Sequence, residues 1–165
     1  MPPLPPAIAQ ACSGLPETGF GPGHEVIAQG ARGGKLFVLI EGSVRVARDK
    51  VDFASIDEPG AVFGEVPALL GTPVAASVIT TSDSRFYVIE DAEALQRSNP
   101  DFTLHLAKVL ALRVHLLTAY LADLKTQFAD HDNHLGMVHE VLCGLCQHPH
   151  GEVRLGSDRL PDGRT

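Results

Sequence analysis

The stretch Phe63-Gly64-Glu65-Val66-Pro67-Ala68-Leu69-Leu70 concentrates residues that can bind a ligand. Gly64 lets the backbone turn tightly, and Pro67 suits the first turn of a short helix. Backbone N–H groups at such a helix start attract anions without a cationic side chain. Glu65 beside them can accept hydrogen bonds from sugar hydroxyls, or can simply be a solvated turn carboxylate. A second group, His131, His134, His139, Cys143, Cys146, His148 and His150, crowds the C-terminal stretch. On a continuing helix, His139, Cys143 and Cys146 lie one turn apart on one face with His150 beyond. Two Cys and two His of this kind can close a tetrahedral zinc site. Pro149 should break that helix, Gln147 spoils a haem-attachment Cys-x-x-Cys-His, and cysteines on a semi-apolar helix commonly pack as small residues. The expectation is therefore no bound metal, with metal or redox sensing through these four residues as a weak alternative.

Other motifs fail on their own requirements. Gly30-Ala31-Arg32-Gly33-Gly34-Lys35 has one residue too few for a triphosphate-binding loop, Leu36 replaces the required Ser or Thr, and a strand should follow instead of a helix. Gly21-Pro22-Gly23 lacks the third glycine and the preceding strand of a dinucleotide fingerprint. A metal-binding cupin needs several histidines converging from strands, and His24 is the only one in that region. No Ser-His-Asp set is suggested by spacing. The expected role is therefore not enzymatic.

The elements that must position these residues are bounded by composition. With 165 residues, 44% hydrophobic and 20% charged, the chain has room for one domain plus an appendage and can bury a core. The formal charge of −7 argues against an electrostatic clamp on DNA or an anionic membrane. No uninterrupted apolar run approaches the ~20 residues that span a bilayer, and Met1-Pro2-Pro3-Leu4-Pro5-Pro6 has no signal-peptide features. Cys12, Cys143 and Cys146 are too few and too unevenly placed for a disulfide framework. A cytoplasmic protein without membrane contact is expected.

Residues 1–20, punctuated by Pro and Gly, predict a loose or only partly helical lead-in. From 21 to 98 short apolar runs alternate with turn signals: Val26-Ile27, Leu36 to Ile40, Val44 and Val46, Val51 to Ile56, Ala75 to Thr81, and Phe86 to Ile89. Strands this short, spaced about ten residues apart, predict a mainly β domain of sandwich or barrel type. Asn99-Pro100-Asp101 is a helix-start signal, and Asp101 suits the helix dipole. Leu110, Val114, Leu117, Leu121, Leu124 and Phe128 then form a heptad seam on a long helix over 99–128. The register continues through Leu135, Val138, Leu142 and Leu145, as one helix or as a second, shorter one, before a frayed tail within 129–165.

Several of these segments together resemble the cyclic nucleotide-binding domain of catabolite activator proteins. Phe63 to Leu70 resembles the phosphate-binding cassette. Pro22-Gly23-His24-Glu25-Val26-Ile27 with Gln29-Gly30 is similar to the family's first strand and following turn. Leu36 to Val44, including Glu41-Gly42-Ser43, is similar to its second strand and glycine turn, and Asn99-Pro100 opens a long helix as in bacterial regulators. The resemblance implies a double-stranded β-helix, or jelly-roll barrel, followed by a dimerisation helix, with cyclic nucleotide such as cAMP as the candidate ligand. It assigns ligand contacts to Gly64, Glu65, Val66, Val74, Ala75, Ala76 and Thr118. Glu65 would hold the ribose 2′-hydroxyl, and Thr118 would meet a purine edge unless it is only an exposed helix hydroxyl.

The sequence departs from the family at the phosphate grip. Pro73-Val74-Ala75-Ala76 stands where the family has Pro-Arg-Ser-Ala, so Val74 replaces the arginine and Ala75 the hydroxyl. Each charge-assisted bond is worth roughly 1.5–3 kcal/mol, so losing two weakens phosphate binding by several hundred-fold. Three readings stay open. The pocket binds a cyclic nucleotide with Arg32 or Arg85 supplying charge, it binds a less anionic ligand, or it is a vestige retained for assembly. The seam from Leu110 to Phe128 implies a parallel homodimer. The 37 residues after Phe128, with three arginines and no lysine, suggest no DNA-reading domain. The expected role is a stand-alone sensor or adaptor acting on a downstream protein.

Overall fold

The computed structural model describes residues 2–127. The chain divides into two compact units, Met1–Val109 and Leu110–Thr165.

The first unit is built on eight strands: β1 (Glu17–Phe20), β2 (Glu25–Ile27), β3 (Leu36–Glu41), β4 (Val44–Arg48), β5 (Val51–Ile56), β6 (Val62–Phe63), β7 (Ser77–Thr80) and β8 (Ser84–Ile89). They form two antiparallel four-stranded sheets in the orders β1-β8-β3-β6 and β2-β7-β4-β5. Apart from the β4–β5 hairpin, neighbours in each sheet come from distant parts of the chain, which is the jelly-roll arrangement expected from the strand spacing. The helices are α1 (Pro6–Ala11), α2 (Glu65–Leu70), α3 (Ala92–Ser98) and α4 (Pro100–Gln127).

Strand β3 explains why the run Leu36 to Ile40 is apolar throughout. Leu36 and Val38 join one core cluster with Ile8, Cys12, Val62, Ile89, Ala92, Phe102 and Leu106. Leu39 joins the other, with Ile27, Val44, Phe63, Val74, Val78 and Phe86. Successive residues on a strand point to opposite faces, so a strand covered on both faces loses its polar alternation. The first cluster binds α1, α3 and the start of α4 to one face of a sheet, and the second fills the space between strands of both sheets.

The lead-in differs from expectation. Residues 1–20 contain α1, whose Ile8 is fully buried, and β1, which pairs with β8 from Glu17↔Tyr87 to Phe20↔Ser84. Glu-Thr-Gly-Phe carries one large apolar residue, so its strand character comes from the β8 edge and from Arg85 Nη1 donating to Glu17 Oε2 at 2.5 Å. Cys12 is buried at the end of α1, and burial pushes its thiol up to about 11. Alkylation requires the thiolate. Cys12 is therefore expected to resist iodoacetamide at pH 8 while folded and to react on denaturation, as read by peptide mass mapping.

Side-chain caps open both helices. Asp91 Oδ1 accepts from the Ala94 amide at 2.9 Å at the start of α3, and Asn99 Oδ1, at the boundary between α3 and α4, accepts from the Phe102 amide at 3.0 Å. Helix α4 buries Phe102 and Leu106 near its start. It also departs from the expectation about membranes. By length and composition alone it could cross one, with mean hydropathy 1.3 in its most apolar window. Its leucines, valines and alanines raise that mean, while threonine, histidine and charged residues between them interrupt the apolar run. The shorter helix anticipated within 129–165 lies outside the described residues.

Candidate functional site

The cassette is positioned by one obligatory glycine. Gly64 has φ +88, and a Cβ there would lie 2.5 Å from the Lys35 carbonyl oxygen and 3.8 Å from Ile27 Cδ1. A side chain is thus excluded twice, by left-handed backbone and by the Lys35 carbonyl just ahead of β3. The bend turns the chain out of β6 directly into α2, and places Glu65 in its first turn. Glu65 is buried at 6% exposure and is not left unpaired. A carboxylate taken out of water is costly without partners, so this position is not the solvated turn residue of the simpler alternative. Pro67 is also buried, and Gly71 closes α2 with its amide donating to the Pro67 carbonyl at 2.9 Å.

The other proposed contacts fall in different environments. Val66 is 40% exposed, Ala75 is exposed and Ala76 half-buried. Val74 is 8% exposed and belongs to the core cluster of Ile27, Phe63 and Phe86. Its backbone is fixed to the loop after β2: its amide donates to the Ala31 carbonyl at 2.9 Å and its carbonyl accepts from the Gly30 amide at 2.8 Å. The position where a cation would grip a phosphate is therefore held by an apolar side chain packed with the barrel. Thr118 lies on α4 in the second unit and is half-buried.

Of the two arginines considered as substitutes, Arg85 is committed elsewhere. Its Nε donates to Glu41 Oε1 at 2.6 Å and its Nη1 to Glu17 Oε2 at 2.5 Å. The Arg85 hydrogen bond holds Glu41 below the usual carboxylate range, and Glu41 in turn raises the guanidinium. Arg32 instead lines a cleft of about 430 Å³ formed by Gly30–Gly34 on one side and by Pro67, Ala68 and Gly71–Pro73 on the other. Pro67 and Ala68 of the cassette segment line this cleft, but Gly64, Glu65 and Val74 do not. It was not anticipated, and the Gly-rich 30–34 stretch, set aside as a failed triphosphate loop, was its available signal.

On α4, the seam residues Val114 and Leu117 are 46% and 48% exposed, while Leu110, Leu121 and Leu124 are half-buried. Leu112, Leu116 and Tyr120 add a further exposed apolar row at 57%, 59% and 61%. Phe128 and the His139, Cys143, Cys146, His150 set lie outside the described residues. Among the described residues no group of three or more His, Cys, Asp or Glu side chains could hold a metal.

The fold agrees with the comparisons to known proteins. The cyclic nucleotide-binding domain family matches residues 17–97. The CRP-like cAMP-activated global transcriptional regulators of two Mycobacterium tuberculosis strains are each 32% identical over 127 residues, covering 73% of this chain and 56% of theirs. The chain thus spans little more than half the length of these curated relatives. The catabolite activator protein of Thermus thermophilus superposes with a TM-score of 0.59 at 28% identity, covering 76% of this chain and 59% of that one. The N-terminal domain of a Streptomyces coelicolor A3(2) transcriptional regulator, at 19% identity and a TM-score of 0.51, covers 67% of this chain and 84% of its own, and shares the fold. Residues 17–97 thus match the cyclic nucleotide-binding domain family, and the chain is similar to regulators of the catabolite-activator type.

Proposed function

We propose that this chain is a cytoplasmic ligand-sensing regulatory module that acts by binding, not catalysis, and engages a cyclic nucleotide through Glu65 and cassette amides without a cationic grip. The observation that carries this reading is the buried Glu65, delivered into the first turn of α2 by the Gly64 bend. With Val74 in the arginine position, affinity is expected to be several hundred-fold below that of a site with two charge-assisted phosphate bonds, each worth roughly 1.5–3 kcal/mol. Cyclic AMP or cyclic GMP at millimolar concentration should therefore raise the melting temperature of the protein. No shift with either nucleotide would remove the nucleotide-sensing role.

The packing supplies a route for a signal. Ala68 of α2 packs against the core cluster that contains Phe102 and Leu106 at the start of α4. Ligand capture at the cassette would bias the position of α2, and with it the base of α4. In this proposal, α4 pairs with the same helix of a second copy through Leu110, Val114, Leu117, Leu121 and Leu124, and a downstream protein reads the change. Lys108, Arg113, Asp123 and Lys125 punctuate α4, and a Lys or Arg at a bilayer centre costs roughly 2.5–3.5 kcal/mol, which favours a protein partner over lipid. Leu117→Glu is expected to convert a dimer into a monomer in sedimentation velocity. An unchanged sedimentation coefficient would contradict the seam.

A second reading rests on Val74. Because its side chain is built into the barrel core, the domain could serve as an assembly platform whose cassette no longer binds a nucleotide. That reading predicts a stable dimer with no response to nucleotide and no effect of Glu65→Ala.

A further inference from the structure

We propose that the cleft between the 30–34 loop and α2 is a second ligand site, separate from Gly64 and Glu65, and that it takes a small sugar phosphate. Its volume of about 430 Å³ falls within the range of small-molecule pockets. Arg32 on its rim has no acidic partner among the described residues, whereas Lys35, Arg45, Arg48, Arg85 and Arg97 are each paired with a carboxylate. The amides of Gly30 and Ala31 are used within the protein, but those of Arg32, Gly33 and Gly34 donate to none of the described residues. Arg32, Gly33 and Gly34 all line the cleft, and three successive amides with one guanidinium are a donor set that suits a phosphate group.

The loop is also held in place. At one end it is hydrogen-bonded to both backbone groups of Val74. At its middle Gly33 packs so closely on α2 that a Cβ would lie 2.7 Å from Pro67 Cβ. The opposite wall has different chemistry. Gly71, Thr72 and Pro73 follow the C-terminal end of α2, where carbonyl groups and the Thr72 hydroxyl can accept from ligand hydroxyls. Donors on one side and acceptors on the other fit an anion that carries hydroxyl groups better than a bare anion. The proposal does not depend on nucleotide binding at Glu65, because Glu65 and Val74 do not line this cleft.

The test is a titration of the full chain with ribose 5-phosphate, followed by the amide resonances of Gly30, Gly33, Gly34 and Gly71. Saturable shifts at these glycines are expected. Arg32→Gln should weaken binding by about tenfold or more, the loss of a charge-assisted hydrogen bond. Glu65→Gln should leave this titration unchanged, and inorganic phosphate should bind more weakly. Because Arg32 is exposed, the variant is expected to fold, which its melting temperature checks. The site is disproved if ribose 5-phosphate gives no saturable shift at millimolar concentration, or if Arg32→Gln binds as tightly as the wild type. Equal affinity for inorganic phosphate would overturn the sugar-phosphate assignment. Shifts centred on Gly64 and abolished by Glu65→Gln would assign the binding to the cassette and overturn the second site.

Discussion

Gly64→Ala is expected to be among the most destabilising single substitutions in the barrel. The new Cβ would meet the Lys35 carbonyl oxygen at 2.5 Å, and the residue would have to hold φ near +88. Left-handed backbone costs roughly 1–2 kcal/mol for an L-residue and overpacking a further 1–3, which together correspond to a fall in melting temperature of roughly 6–16 °C for a chain of this size. Gly71→Ala is the matched control. Gly71 is also left-handed, at φ +66, but nothing lies within 4 Å of its Cβ position. Only the backbone cost of roughly 1–2 kcal/mol then applies, and the melting temperature should fall by no more than about half as much. Equal effects would show that the Lys35 carbonyl does not press on the cassette bend.

Val74→Arg is expected to trade stability for ligand response. Without ligand, the guanidinium would replace an apolar side chain packed with Ile27, Phe63 and Phe86. An unpaired buried charge is costly, and breaking such an environment typically costs about 3–5 kcal/mol. With cyclic AMP present, the same group could donate two charge-assisted bonds to the phosphate. Each is worth roughly 1.5–3 kcal/mol, so affinity should rise by a hundred-fold or more over the wild type. The signature is a melting temperature that is lower than wild type without ligand and rises further on adding cyclic AMP. A variant that is destabilised but insensitive to ligand would mean that position 74 does not face a phosphate site.

Much of the barrel was legible because its signals are local. Leu36 to Ile40, Val44 to Arg48 and Val51 to Ile56 are apolar or alternating runs bounded by turns, and they became β3, β4 and β5. Strand β1 was not legible, because Glu17 to Phe20 has almost no apolar pattern and becomes a strand only through β8 and Arg85. The two-residue β6 and the α3–α4 break were hidden for a related reason. The first is too short to show periodicity, and the second depends on the Asn99 side chain capping the Phe102 amide. At the site, Gly64 and Glu65 were readable from the motif. The burial of Val74 and the commitment of Arg85 to two carboxylates were not, since both depend on packing between residues far apart in the chain. The cleft at Arg32 needed the same long-range information, because its two walls are more than thirty residues apart.

The central claim is that a carboxylate and backbone amides hold a ligand at the Gly64 bend without an arginine. Parallel calorimetric titrations of cyclic AMP into the wild-type chain and into Glu65→Gln test it most directly. A weak, saturable heat in the wild type that is lost in the variant is the predicted result. Absence of heat from both proteins, or isotherms that do not differ, would contradict it and leave the barrel an architectural element.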